Sequence, residues 1–183
     1  VDQTVTRVTS LRSTLTDDRL KLQFQPIVSL ATRGLHHYEA LARFPNGAPG
    51  PTIAFAEEVG MVHDVDLLVC EKTLEVLATD PALHIAVNMS AASLGSDIFV
   101  VAFQRLVGRN PALRSRLLVE VTESTGPTDL PRAARILEEL RRAGHRICLD
   151  DFGAGAASFP YIQALPVDFV KIDGSLVKAI GKS

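Results

Sequence analysis

The chain has no tryptophan, only two cysteines and two methionines in 183 residues, and aromatic residues make up 5% of it. So few flat side chains argue against a platform on which nucleic-acid bases stack. Lys and Arg number 19 against 21 Asp and Glu, a formal net charge of −2. Without a basic excess there is no electrostatic footprint for a nucleic-acid polymer as partner. No apolar run reaches the ~20 residues that a helix needs to span a bilayer. No signal peptide is visible at the start. No direct membrane insertion is therefore expected, and a cytoplasmic location is. Cys70 falls in a helical pattern and Cys148 in an apolar run. They read as two small buried thiols in a reducing compartment rather than a disulfide or a zinc site. His36, His37, His63, His84 and His145 show no ligand spacing and read as surface or packing residues. What is present is the composition of an ordinary soluble domain, 46% apolar and 22% charged, with length enough for one sizeable core.

Val5, Val8, Leu11 and Leu15 recur at helical spacing, so residues 3–16 are expected to form an amphipathic helix, with 1–18 a linker from an upstream domain. Between Leu20 and Leu30 the residues Leu22, Phe24, Pro26 and Val28 alternate with Lys21, Gln23, Gln25 and Ile27, a strand whose Pro26 places it at an edge or entry position. Thr32-Arg33-Gly34 makes a turn into a second strand, Leu35 to Phe44. Thr52 is placed to cap a short helix through Glu58 that Gly60 stops, and a longer helix covers roughly 61–79. Strands at His84–Ser90 and Leu117–Glu123 flank a helix from Ser96 to Val107, with a break at Asn110-Pro111. Asp129 caps a helix to Ala143 that Gly144 ends. The fifth strand is Arg146–Gly153, a short helix spans Ser158–Leu165, and the sixth strand is Val167–Asp173. From the second strand onward strands and helices alternate, which predicts an α/β fold of parallel units with right-handed crossovers.

Each of those strands carries a polar group near its carboxyl end: Glu39, Asn88, Glu120, Asp150 with Asp151, and Lys171. Taken singly, each has a plain reading. A lone Glu in a strand usually faces solvent, and Asp-Asp before Phe152-Gly153 is an acceptable turn. Taken together they are harder to dismiss, because parallel strands bring those ends to one face, where the chemistry of such folds collects. Two adjacent carboxylates there repel, and a cation relieves the cost of burying them. Carboxylates with one amide suit a hard ion such as Mg²⁺ or Mn²⁺.

Glu39-Ala40-Leu41 followed by Arg43, Asn88-Met89-Ser90, Glu120-Val121-Thr122-Glu123, Asp150-Asp151-Phe152-Gly153 and Lys171-Ile172-Asp173 stand in the order and context of a known family. From about residue 20 to 180 the chain resembles the EAL domain family, bacterial cyclic di-GMP phosphodiesterases and their degenerate receptor relatives. The resemblance implies a modified TIM barrel whose first strand runs antiparallel. It implies hydrolysis of cyclic di-GMP to linear pGpG with two metal ions, Mg²⁺ or Mn²⁺, or binding of the same ligand without catalysis. By similarity Glu39, Asn88, Glu120 and Asp150 hold one metal, and Asp150 with Asp151 serves the second. Lys171 orients or polarises the attacking water. Gln25, Leu41 and Arg43 contact the substrate, and Glu123 supports the loop after Asp151. Expected partners are cyclic di-GMP, a second copy of the chain, and upstream sensory or GGDEF domains.

Two departures qualify what is implied. Ala156-Ala157-Ser158 stands where the family has Tyr-Ser-Ser. The 183 residues end after the sixth strand, before the family's last two strands with their further metal-binding Glu and substrate-site Gln. The expectation is therefore a barrel incomplete at its C-terminal side, with 19–183 as the domain, and slow or no turnover by this stretch alone.

Overall fold

The computed structural model describes residues 2–29, 31–122, 129–153, 162–175 and 178. The elements are α1 (Gln3–Thr16), β1 (Lys21–Val28), β2 (Leu35–Arg43), α2 (Pro49–Glu58), α3 (Val62–Thr79), β3 (Ile85–Asn88), α4 (Ala91–Leu94), α5 (Asp97–Gly108), a 3-10 helix (Pro111–Arg116), β4 (Leu117–Thr122), α6 (Leu130–Arg142), β5 (Arg146–Phe152) and β6 (Phe169–Ile172). No helix among the described residues is long and apolar enough to cross a membrane.

The six strands form one sheet in the order β1-β2-β3-β4-β5-β6. β1 and β2 are antiparallel, and every later pair is parallel. This is the expected hairpin followed by parallel units, part of a barrel wall with helices packed outside. Pro26 sits in β1 opposite Tyr38, and among the described residues β1 is the edge strand, paired only with β2, a place where a residue without an N–H is tolerated. The hairpin register slips between Ile27 and Val28, next to the turn, and runs regularly from there to Lys21↔Arg43.

β3, β4 and β5 carry the apolar core. Ile85, Ala86, Val87, Leu117, Val119, Ile147 and Leu149 are all buried. They meet Val65, Val69, Cys70 and Leu77 of α3, Phe99 and Phe103 of α5, and Leu137 and Leu140 of α6. Leu11 of α1 joins the same cluster, while Val5 is exposed.

Several helix ends follow the sequence signals. Asp129 accepts from the Arg132 N–H at 2.9 Å and caps α6. Gly60 and Gly144 follow α2 and α6 with φ of 71° and 105°, the left-handed region that favours glycine. The Thr52 cap is a miss. α2 starts three residues earlier at Pro49, and the Thr52 hydroxyl donates back to the Ala48 carbonyl at 2.8 Å. Proline at the first helical position needs no partner for a missing N–H, so Pro49 opens the helix and Thr52 lies within it. The Asn110-Pro111 break is a 3-10 helix for the same reason. At its end Arg116 donates to the carbonyls of Leu77, Asp80 and Leu83, closing the C-terminus of α3 onto the sheet. Of the expected Ser158–Leu165 helix, residues 158–161 lie outside the described residues, and Ile162–Ala164 are helical.

Candidate functional site

The site is a consequence of side-chain alternation along strands in register. Cross-strand partners share a sheet face. Gln25 pairs with Glu39, Gln23 with Leu41, and Lys21 with Arg43, so these six side chains form one row on the inner face. In the parallel part, Asn88 is level with Glu120, and Thr122 with Asp150.

At the centre stands the Lys171 ammonium. Its Nζ donates to Glu39 Oε2 at 2.8 Å, to Asp150 Oδ2 at 2.9 Å and to Glu120 Oε2 at 3.1 Å. One cation thus ties β2, β4 and β5 to β6. Burial would push this lysine's pKa down. The charge of Glu120, then the hydrogen bonds to Glu39 and Asp150, outweigh that and hold the ammonium well above the usual lysine range. In this arrangement Lys171 is a fixed positive charge and not a base. Glu120 has none of its side chain exposed.

Carboxylate oxygens of Glu39, Glu120 and Asp150 converge to within 4.8 Å of one another. Asn88 Nδ2 donates to Glu39 Oε1 at 2.9 Å, so the amide oxygen is left to serve as a ligand beside them. Three carboxylates and an amide around a point already visited by a cation are a donor set for a hard divalent ion.

Asp151 is placed differently. It stands outside the converging group, with φ 56°. A non-glycine residue there is uncommon, though Asp tolerates it. Its N–H donates to Asp150 Oδ1 at 2.9 Å. Burial, then the charges of Asp150 and Asp173, raise its pKa above the usual carboxylate value. Behind the cluster, burial and the neighbouring Glu120 push the Cys148 thiol up to about 12, which leaves it inert.

Among the expected substrate contacts, Arg43 Nε donates to Gln23 Oε1 at 2.8 Å and Nη1 to the Ala42 carbonyl at 3.0 Å. Gln25 lies exposed opposite Glu39, and Leu41 is half-buried. Glu123 and residues 156–158 lie outside the described residues.

The sequence reading missed three supporting residues. Gln23 fixes Arg43, and the alternation Lys21, Gln23, Gln25 was the available signal. His37 lies two residues before Glu39 on the same face, with Nε2 3.8 Å from Glu120 Oε1. Asp66, buried on α3, accepts from the Ser90 N–H at 3.0 Å and so pins the turn that follows Asn88. Ser90, Ser93 and His63 extend that network. Asp66 carried no sequence signal, because a polar residue in a helix ordinarily faces water.

Known proteins resemble this chain in sequence and in fold. The EAL domain family matches residues 8–183. The chain is 34% identical over 183 residues to the cyclic di-GMP phosphodiesterase NbdA of Pseudomonas aeruginosa, covering 94% of this chain and 23% of that protein. It is 33% identical over 168 residues to the probable cyclic di-GMP phosphodiesterase PdeB of Escherichia coli, covering 87% of this chain and 32% of that one. The chain thus spans between about a quarter and a third of these curated relatives. Among solved structures it resembles the PaMucR phosphodiesterase in complex with cyclic di-GMP, with a TM-score of 0.82 and 29% identity over 97% of this chain and 76% of that one. It also resembles the FimX EAL domain from Pseudomonas aeruginosa bound to cyclic di-GMP, with a TM-score of 0.85 and 26% identity over 96% of this chain and 74% of that one.

Two stability predictions follow from the site. Lys171→Met leaves Glu120 buried without a countercharge and should cost about 3 kcal/mol. Urea unfolding in chelator-containing buffer measures it, and an unchanged midpoint would show that the carboxylates hold without the ammonium. The second concerns Asp66, whose pKa is raised by burial against the opposing Ser90 N–H. A raised carboxylate favours the folded state while protonated and loses that advantage as pH climbs through its folded-state value. The melting temperature of Asp66→Asn relative to wild type should therefore rise from acidic to mildly alkaline buffer. A fall would mean that the bond from Ser90 outweighs desolvation.

Proposed function

The chain belongs to the EAL domain family, and on that footing we propose that it is the catalytic domain of a metal-dependent phosphodiesterase that hydrolyses cyclic di-GMP to linear pGpG. The observation that carries this reading is the convergence of Glu39, Glu120 and Asp150 on one point, with Asn88 hydrogen-bonded to Glu39. Glu39, Asn88, Glu120 and Asp150 would hold one Mg²⁺ or Mn²⁺, and Asp150 with Asp151 would serve a second. Bound divalent ions lower the pKa of a water and stabilise charge on the attacking and leaving oxygens of a phosphodiester.

The chain's own residues supply the rest. Arg43 presents its guanidinium to a substrate phosphate, held in place by Gln23 before any ligand arrives. Gln25 and Leu41 line the same inner row, where a guanine base and ribose would lie. Lys171 stays charged, orients the water and balances negative charge that builds on the phosphate. In doing so it yields part of its contact with the three carboxylates. Glu123 would steady the loop beyond Asp151. The greater length of the curated relatives supports sensory or GGDEF domains as neighbours in the parent polypeptide.

One observation favours a second reading, a cyclic di-GMP receptor. Asp151 is not among the three carboxylates whose oxygens converge on one point, so the group gathered there offers the ligands of a single ion.

Chromatographic detection of pGpG decides between the two. Extended through the family's last two strands, the proposed enzyme forms pGpG with Mg²⁺ or Mn²⁺ while residues 1–183 alone form little or none, and Glu39→Gln in the extended chain lowers the rate at least about a hundredfold. Tight cyclic di-GMP binding with no pGpG formed by the extended chain would assign the protein to the receptors instead. Arg43→Ala should weaken cyclic di-GMP binding about tenfold or more, since it removes a charged, bidentate contact. Calorimetry with the dinucleotide checks this, and wild-type affinity in the variant would remove Arg43 from the site.

A further inference from the structure

Glu120 has two oxygens with different surroundings. Oε2 faces the Lys171 ammonium at 3.1 Å. Oε1 points the other way, into the interior, where it has no hydrogen-bond partner among the described residues. A carboxylate oxygen left so, on a side chain with no exposure, is costly unless a donor is at hand. His37 Nε2 lies 3.8 Å from it, itself buried and also without a hydrogen-bond partner among the described residues. His37 has 7% of its surface exposed. Two orphaned polar atoms therefore face each other under the cation site. The gap exceeds a hydrogen bond, but the terminal torsion of a glutamate is broad, and a small rotation of the carboxylate closes it.

The geometry points to His37 as a positioning residue that donates from Nε2 to Glu120 Oε1 and so aims Oε2 at the cation. This inference rests on the metal reading of the site. It also sets the tautomer of a neighbour. A carboxylate only accepts, so His37 must carry its proton on Nε2. Neutral His37 then offers Nδ1 as an acceptor. His36 Nδ1 lies 2.7 Å from that atom and must be the donor. The His36 ring is braced edge-on against Phe169 of β6, with centroids 5.5 Å apart. A relay thus runs from His36 through His37 to Glu120, anchored on the strand that carries Lys171. Partners one step removed from a metal hold its ligands in the productive orientation, and losing one typically costs ten- to a hundredfold in affinity.

The test separates hydrogen bonding from packing. His37→Gln keeps an N–H donor, whereas His37→Leu fills similar space with none. Calorimetric titration with Mn²⁺ should show about tenfold weaker binding for the Leu variant and near wild-type binding for Gln. Urea midpoints of the two variants should agree, which excludes a folding defect as the cause. Wild-type affinity in His37→Leu, or an equal loss in both variants, overturns the assignment. A second readout does not involve the metal. Nitrogen-15 spectra of the imidazoles should show His37 as the Nε2–H tautomer, and an Nδ1–H tautomer overturns it. If the wild type takes up no Mn²⁺, the metal reading falls, and the tautomer alone then judges the His37 contact.

Discussion

Everything at the carboxyl ends of these strands depends on one ammonium. Lys171 reaches three carboxylates from three other strands. Without a positive charge there, Glu39, Glu120 and Asp150 would repel one another in a space mostly sealed from water, where like charges are least screened. The lysine keeps them gathered, with oxygens close enough together that the group could hold a metal ion. A fold that must hold an acidic cluster thus carries its own countercharge on the neighbouring strand. The cost of assembling the site is met within the protein and not left to the ligand.

Around that charge the support is layered. Asn88 holds one oxygen of Glu39, and Asp66 holds the turn after Asn88 from beneath. Asp150 receives the N–H of Asp151, whose backbone lies in the left-handed region. Arg43 is fixed by Gln23 and by the adjacent carbonyl. Each acidic or basic side chain that would face a ligand has a second residue limiting its freedom, which is how a site avoids losing affinity to reorganisation.

How much of this was legible in the sequence divides along physical lines. Glu39, Asn88, Glu120, Asp150 and Lys171 could be read because parallel strands leave little choice about where their carboxyl ends go. The antiparallel hairpin could be read from Thr32-Arg33-Gly34 and the alternation on either side. Arg43's partner could not, since pairing Gln23 with Leu41 depends on a register that the turn alone does not dictate. Asp66 was invisible because nothing in α3 announces that a backbone N–H 24 residues away will meet it. Thr52 misled because two helix-start signals, Pro49 and Thr52, lay three residues apart and the proline won. His37 was legible in principle. It shares the face of Glu39 by simple alternation, but a histidine without a ligand spacing attracts no notice.

The register slip between Ile27 and Val28 sits close to the hairpin turn, on the far side of Pro26 from the working rows. Any change in turn length between homologues must be absorbed somewhere, and a one-residue shift carried into β2 would turn Glu39, Leu41 and Arg43 onto the opposite face. A bulge at that point acts as an expansion joint. It lets the segment around Thr32 vary in length during evolution, or accept an inserted tag, while the rows from Gln25 to Lys21 stay in step with their partners. Engineering of this domain therefore has a tolerant end and an intolerant one, separated by the slip beyond Ile27 and its partner His37.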